Sequence, residues 1–142
     1  MLTGYSHSSF TVSDIDRSVD FYVNTLGMKL GRRWERVGAE IEGVTGVVGA
    51  HLKMATVLLG DFTLELIQYA AGAGTRLDPT INNVGAAHIA FTVSDLDQFC
   101  DELRRKGVRF YGTPTRLNPP GHKAVYIGDP DGVTVELSEP AS

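Results

Sequence analysis

Hydrophobic and polar positions alternate with period two over short stretches, then switch to a helical spacing, and the chain does this twice in the same order. Residues 6–12 and 87–93 read as strands. Successive strand side chains point to opposite faces, so Ile89, Phe91 and Val93 share one side and His88, Ala90 and Thr92 the other. In the earlier copy His7, Ser9 and Thr11 take that second side. Each strand runs into a Ser-Asp-x-Asp cluster, at 13–16 and 94–97, whose side-chain oxygens can begin a helix. After the first cluster Val19, Tyr22, Val23 and Leu26 recur at helical spacing and Gly27 closes the run; after the second, the pattern predicts a helix over 96–106 that stops at Gly107. Further strands are predicted over 28–35, 51–59, 62–69, 108–112, 123–128 and 133–138. Gly60-Asp61 joins two of them as a short hairpin, and 129–132 forms a turn. Glycines at 38, 43, 46 and 49 interrupt an apolar run, so residues 37–49 are predicted as an irregular connection able to act as a lid; 113–122 is a second loop.

The two passages are copies. His7-Ser8-Ser9-Phe10-Thr11-Val12-Ser13-Asp14-Ile15-Asp16 shares seven of ten residues with His88-Ile89-Ala90-Phe91-Thr92-Val93-Ser94-Asp95-Leu96-Asp97, 81 positions later. A second echo links Gly60-Asp61-Phe62-Thr63-Leu64-Glu65-Leu66 with Gly128-Asp129-Pro130-Asp131-Gly132-Val133-Thr134-Val135-Glu136-Leu137, once three extra turn residues are allowed. The repeat predicts an α+β fold of two tandem βαβββ modules, 5–69 and 86–139, joined by a Gly-, Ala-, Asn- and Pro-containing linker at 70–85. With curved sheets the modules would form a half-open barrel, within a single domain of 142 residues.

Composition narrows the function classes. At 42% hydrophobic residues the chain can bury a core, and a net charge of -4 without a basic stripe argues against a nucleic acid partner. No apolar stretch approaches the roughly 20 residues that span a bilayer, and the N-terminus lacks the pattern of a secretory signal. Cys100 is the single cysteine, so no internal disulfide can form; together these features lead us to expect a cytoplasmic protein with no membrane partner.

The candidate chemistry comes from the repeat. Each module offers one histidine on its first strand and one glutamate on its last, all four facing away from the apolar sides: His7, Glu65, His88 and Glu136. Imidazole nitrogen with carboxylate oxygen suits a divalent first-row ion, and Co, Mn, Ni, Fe, Zn and Mg are not distinguished by these donors. Two carboxylates and two neutral imidazoles would leave such an ion formally neutral, with room for two vicinal oxygens of a small-molecule substrate. That arrangement stabilises an enolate formed by removal of a neighbouring proton.

With its paired modules, its His and Glu positions and the turn-and-strand sequence 128–137, the chain resembles the vicinal oxygen chelate superfamily. That superfamily includes glyoxalase I, methylmalonyl-CoA epimerase, extradiol dioxygenases and the bleomycin and fosfomycin resistance proteins. The resemblance implies a metal held at His7, Glu65, His88 and Glu136, and often a homodimer. It is strongest to the isomerase and lyase branch and implies an enzyme closest to a methylmalonyl-CoA epimerase or a glyoxalase; in the glyoxalases a ligand glutamate, here Glu136 or Glu65, doubles as the base, whereas the separate first-module glutamate of the epimerases has no counterpart on the strand that carries His51 and Lys53. His51 is a separate candidate acid/base, with Glu42 behind it and His122 in the second loop. An extradiol-type dioxygenase acting on an aromatic or polyketide-like substrate is the alternative enzyme, and a non-catalytic binding or resistance protein the alternative without chemistry. Arg32, Arg33, Arg36 and Lys123 are candidates to meet an anionic substrate.

Overall fold

The computed structural model describes residues 1–118 and 121–141, so the Pro119-Pro120 part of the predicted second loop lies outside the described residues. The chain divides into two compact units, Met1–Arg76 and Leu77–Ser142, and the division falls inside the stretch predicted as a linker.

In the first unit β1 (Ser8–Thr11) leads to α1 (Ile15–Asp20), then to β2 (Lys29–Val37), α2 (Ala39–Thr45), β3 (His51–Leu59) and β4 (Phe62–Ala71). The four strands form one sheet in the order β1-β4-β3-β2. β1 lies parallel to β4, and the other neighbours are antiparallel. Leu59 pairs with Phe62 across the two-residue hairpin, which sets the register back along both strands so that Thr56 faces Glu65.

The second unit repeats the plan with β5 (His88–Thr92), α3 (Leu96–Arg105), β6 (Arg109–Phe110), β7 (Thr115–Arg116), β8 (Lys123–Gly128) and β9 (Thr134–Glu139). Its sheet runs β5-β9-β8-β6, with β7 also paired to β8. Again the first strand is parallel to the last. β7 falls in a stretch whose sequence predicts only loop; two residues are too few to show a period, and pairing with β8 makes the strand.

α1 and α3 each start where the side-chain oxygens are. The Asp14 carboxylate accepts the amides of Asp16 and Arg17, and the Asp95 carboxylate accepts that of Gln98. A second acceptor comes from the last strand of each module: Gln68 Oε1 takes the amide of Ile15 at 3.0 Å, and Glu139 Oε2 takes that of Leu96 at 2.7 Å. Orphan amides of the first turn are thereby satisfied.

α1 passes into a π-helical segment, Phe21–Thr25, where the Leu26 amide reaches back to the Phe21 carbonyl. Adjacent Phe21 and Tyr22 are both buried there, with rings edge to face at 5.2 Å.

Residues 37–49 depart from expectation. They are not an irregular connection: β2 extends to Val37 and α2 occupies Ala39–Thr45. Gly38 and Gly46, at φ 94° and 70°, are the helix's two ends rather than points of irregularity. Ile41 and Val47 pack with Trp34, Ile67 and Tyr69 against buried Ala50, Leu52 and Met54.

The sheets carry apolar residues at the positions the alternation marks. Ala55, Val57, Leu64 and Leu66 in the first unit and Val125, Ile127, Val135 and Leu137 in the second are buried, as are Ile15, Val19, Leu96, Cys100 and Leu103 from the helices. Among the described residues no helix is long and apolar enough to cross a membrane.

Candidate metal centre

Parallel pairing of the first and last strands makes the candidate site. In the first unit Ser9 lies opposite Glu65, so His7, two residues earlier on the same side, comes beside the Glu65 carboxylate, with Nε2 3.7 Å from Oε1. In the second unit Ala90 lies opposite Glu136, and His88, again two residues earlier, puts Nε2 3.2 Å from Oε2. The two pairs arise from one repeated register.

Both carboxylates are largely covered, with 14% and 18% of their side-chain surface exposed, whereas the imidazoles stand about 40% exposed at their edges, His7 at 42% and His88 at 38%. Apart from the imidazole, neither carboxylate has a hydrogen-bond partner among the described residues. A covered carboxylate with unused lone pairs calls for a cation or a proton donor, because burial without compensation is costly. The donors therefore fit a divalent ion. Among the described residues no group of three or more His, Cys, Asp or Glu side chains gathers, and each unit holds one His-Glu pair.

The second unit adds two groups that the sequence reading passed over. Tyr126 faces Glu136 across β8 and β9, and its ring lies against His88 with centroids 5.3 Å apart. Thr134, opposite His88, is buried, and its hydroxyl has no hydrogen-bond partner among the described residues. In the first unit the comparable addition is Thr56, directly across from Glu65. The hairpin at Gly60-Asp61 was the signal for it, since counting three residues outward along each strand from the Leu59 and Phe62 pair leads to Thr56 and Glu65.

His51 is not brought to these groups. Alternation along β3 sets it on the face of Lys53 and Ala55, opposite that of Thr56, and its Nε2 lies 2.5 Å from Glu35 Oε2. Neighbours on that face belong to the helix side, where Arg33 is bonded to Asp16 of α1. Glu42 is occupied as well: its carboxylate accepts the Gly49 amide at 2.9 Å and ties the end of α2 to the chain that follows. His122 uses its carbonyl to accept the Leu117 amide. Lys123 is bonded to Asp97.

Charged groups away from the pairs have local explanations. Arg33 holds the Asp16 carboxyl below its ordinary range, first by hydrogen bonding and then by charge, and Thr80 does the same for Asp78 through its hydroxyl and amide. Burial pushes the Cys100 thiol up, so it is an apolar core group rather than a nucleophile.

Comparison with known proteins gives a consistent set. The model of the glyoxalase/bleomycin resistance protein/dioxygenase superfamily matches residues 4–137. A 2-epi-5-epi-valiolone epimerase from Actinomyces sp is 30% identical, covering 92% of this chain and 76% of that protein. A probable lactoylglutathione lyase from Synechocystis sp. is 26% identical, covering 96% and 95%. Among solved structures, a glyoxalase family protein from Bacillus cereus superposes with a TM-score of 0.88 at 22% identity, covering 100% of this chain and 97% of that one.

Proposed function

Because the chain belongs to the glyoxalase/bleomycin resistance protein/dioxygenase superfamily, we propose that it is a metal-dependent isomerase or lyase that moves a proton at a carbon next to a carbonyl. The observation that carries this reading is the duplicated His-Glu pair, in which both carboxylates are covered and, among the described residues, have no partner but an imidazole. His7, Glu65, His88 and Glu136 would be the ligands, each module giving one imidazole and one carboxylate. A divalent ion bound there supplies electrophilic stabilisation of the negative charge that appears on a substrate oxygen.

The remaining work belongs to the chain. Glu136 or Glu65 takes the proton from the substrate carbon, the C-H electron pair moves into the carbonyl, and the same carboxylic acid returns the proton to a carbon of the product. The Tyr126 ring holds the His88 imidazole on one flank, and the opposite position of Tyr126 and Glu136 keeps that flank closed beside the carboxylate. His51, turned to the other face and bonded to Glu35, has no part in this proposal. The names of the relatives, an epimerase and a lyase, support the same class of proton transfer.

The test combines metal content with exchange. Protein purified without chelators and then supplied with Mn or Co should bind the ion, and Glu65→Gln and Glu136→Gln should each lower its affinity by about 10-fold or more. Incubated in deuterated water, the metal-loaded protein should introduce deuterium beside the carbonyl of a substrate from a panel of 2-substituted acyl thioesters and 2-hydroxy ketones. Retention of full ion affinity by both variants would rule the ligand assignment out.

A further inference from the structure

On the first unit's sheet, one rung runs from Ser9 through Glu65 and Thr56 to a bulge in β2. The register of β2 against β3 slips between Leu30, which faces Val57, and Arg33, which faces Ala55, so Gly31 and Arg32 together stand opposite Thr56. Two contacts fix the bulge. The Arg32 amide donates to Thr56 Oγ1 at 3.1 Å, and a Cβ at Gly31 would come within 2.5 Å of that oxygen, so only glycine allows the approach.

Arg32 stands on the Thr56 side of the sheet, opposite Arg33 and on the same face as Trp34 two residues later, as alternation requires; the residue that the bulge displaces from that face is Leu30, which lies opposite Val57. Arg33 is consumed by Asp16, whereas the Arg32 guanidinium lies 4.1 Å over the ring of Trp34, and no carboxylate among the described residues pairs with it. Trp34 faces Met54 and packs with the apolar cluster of Leu52 and Met54, on the side of the sheet from which Glu65 emerges. An unpaired guanidinium propped on a fixed aromatic ring keeps its N-H edges available, in a preorganised orientation, for a planar or tetrahedral anion.

We infer that Arg32, its amide tied to Thr56 and its guanidinium over Trp34, is the specificity-determining residue for an anionic oxygen group of the substrate, either a carboxylate or a phosphate. Two strand spacings separate the Arg32 and Glu65 backbones, about 10 Å at the usual 4.8 Å per strand. The anion therefore lies several bonds from the carbon that loses its proton, and the intervening apolar part of the substrate rests along Trp34. This inference rests on the proton-transfer reading for its substrate, but not for its test.

Trp34 is the only tryptophan, so intrinsic fluorescence reports on this position alone. The full chain, with and without added Mn, is titrated with phenylphosphonate, phenylacetate and neutral phenylacetamide. Saturable change with one or both anions and none with the amide is expected, and the tighter of the two anions identifies the group. Arg32→Gln should weaken anion binding by about 10-fold or more, and Arg32→Lys, which keeps the charge but loses the fork, by less. An unchanged titration in Arg32→Gln, or equal binding of the amide, overturns the assignment. If Mn binds normally while Arg32→Gln has no effect, the anion subsite falls and the proton-transfer reading stands; if no ion binds but the anion response persists, the reverse holds.

Discussion

At the scale of single residues, position on the correct face separates chemistry from packing. His51 and Thr56 lie on the same strand, yet one step of alternation sends the histidine to Glu35 and the threonine to Glu65. The ion pair between Arg33 and Asp16 shows what the helix side uses its charges for. Asp16 is held below its ordinary pKa of 3.8, so it binds protons less readily in the folded than in the unfolded state. Its contribution to stability is therefore present above the ordinary carboxylate range and lost as pH falls through the lowered folded value. Urea midpoints measured from about pH 3 to 7 should show a shallower acid limb in Asp16→Asn than in the wild type. The resemblance offered His51 as an acid/base because it lies on the first-module strand where the epimerases carry a separate glutamate; its face became visible only with the strand's register.

At the scale of elements, the chain starts α1 and α3 from its own side chains and then braces them from the sheet. Asp14 and Asp95 accept first-turn amides, and Gln68 and Glu139 supply matching acceptors from the last strand of each module. Removing one cap should cost about 1 kcal/mol, so Asp14→Ala and Asp95→Ala should each lower the thermal midpoint by a few degrees. Differential scanning calorimetry checks this, and no change in either variant would mean that the strand acceptors alone suffice. The same scale explains the misread stretch 37–49. Glycine marks both disorder and helix ends, and the distinction was carried by Ile41 and Val47, whose apolar partners Leu52 and Met54 lie on β3 and are not neighbours in sequence.

At the scale of the whole molecule, duplication accounts for both the core and the candidate site. Leu66 and Leu137 directly follow the two candidate glutamates and are buried to the same degree, at 0% and 1% exposure. Replacing either by Ala should cost about 2–5 kcal/mol, measurable by urea unfolding, because each leaves a cavity under a helix-covered sheet. A much smaller loss at one of them would show that its surroundings collapse to fill the space. The strand-to-helix order, the caps, the hairpin at Gly60-Asp61 and the presence of one histidine and one glutamate on the outer strands of each module were legible in the sequence, because period, side-chain oxygens and tight turns act over a few neighbouring residues. Tertiary structure alone decided the π-helical turn at Phe21–Thr25, the helix in place of an irregular lid, the turning of His51 toward Glu35, and the bulge that sets Gly31 and Arg32 together opposite Thr56. Each of these depends on a partner from another strand or helix, and no local pattern of hydrophobic and polar residues encodes which partner that will be.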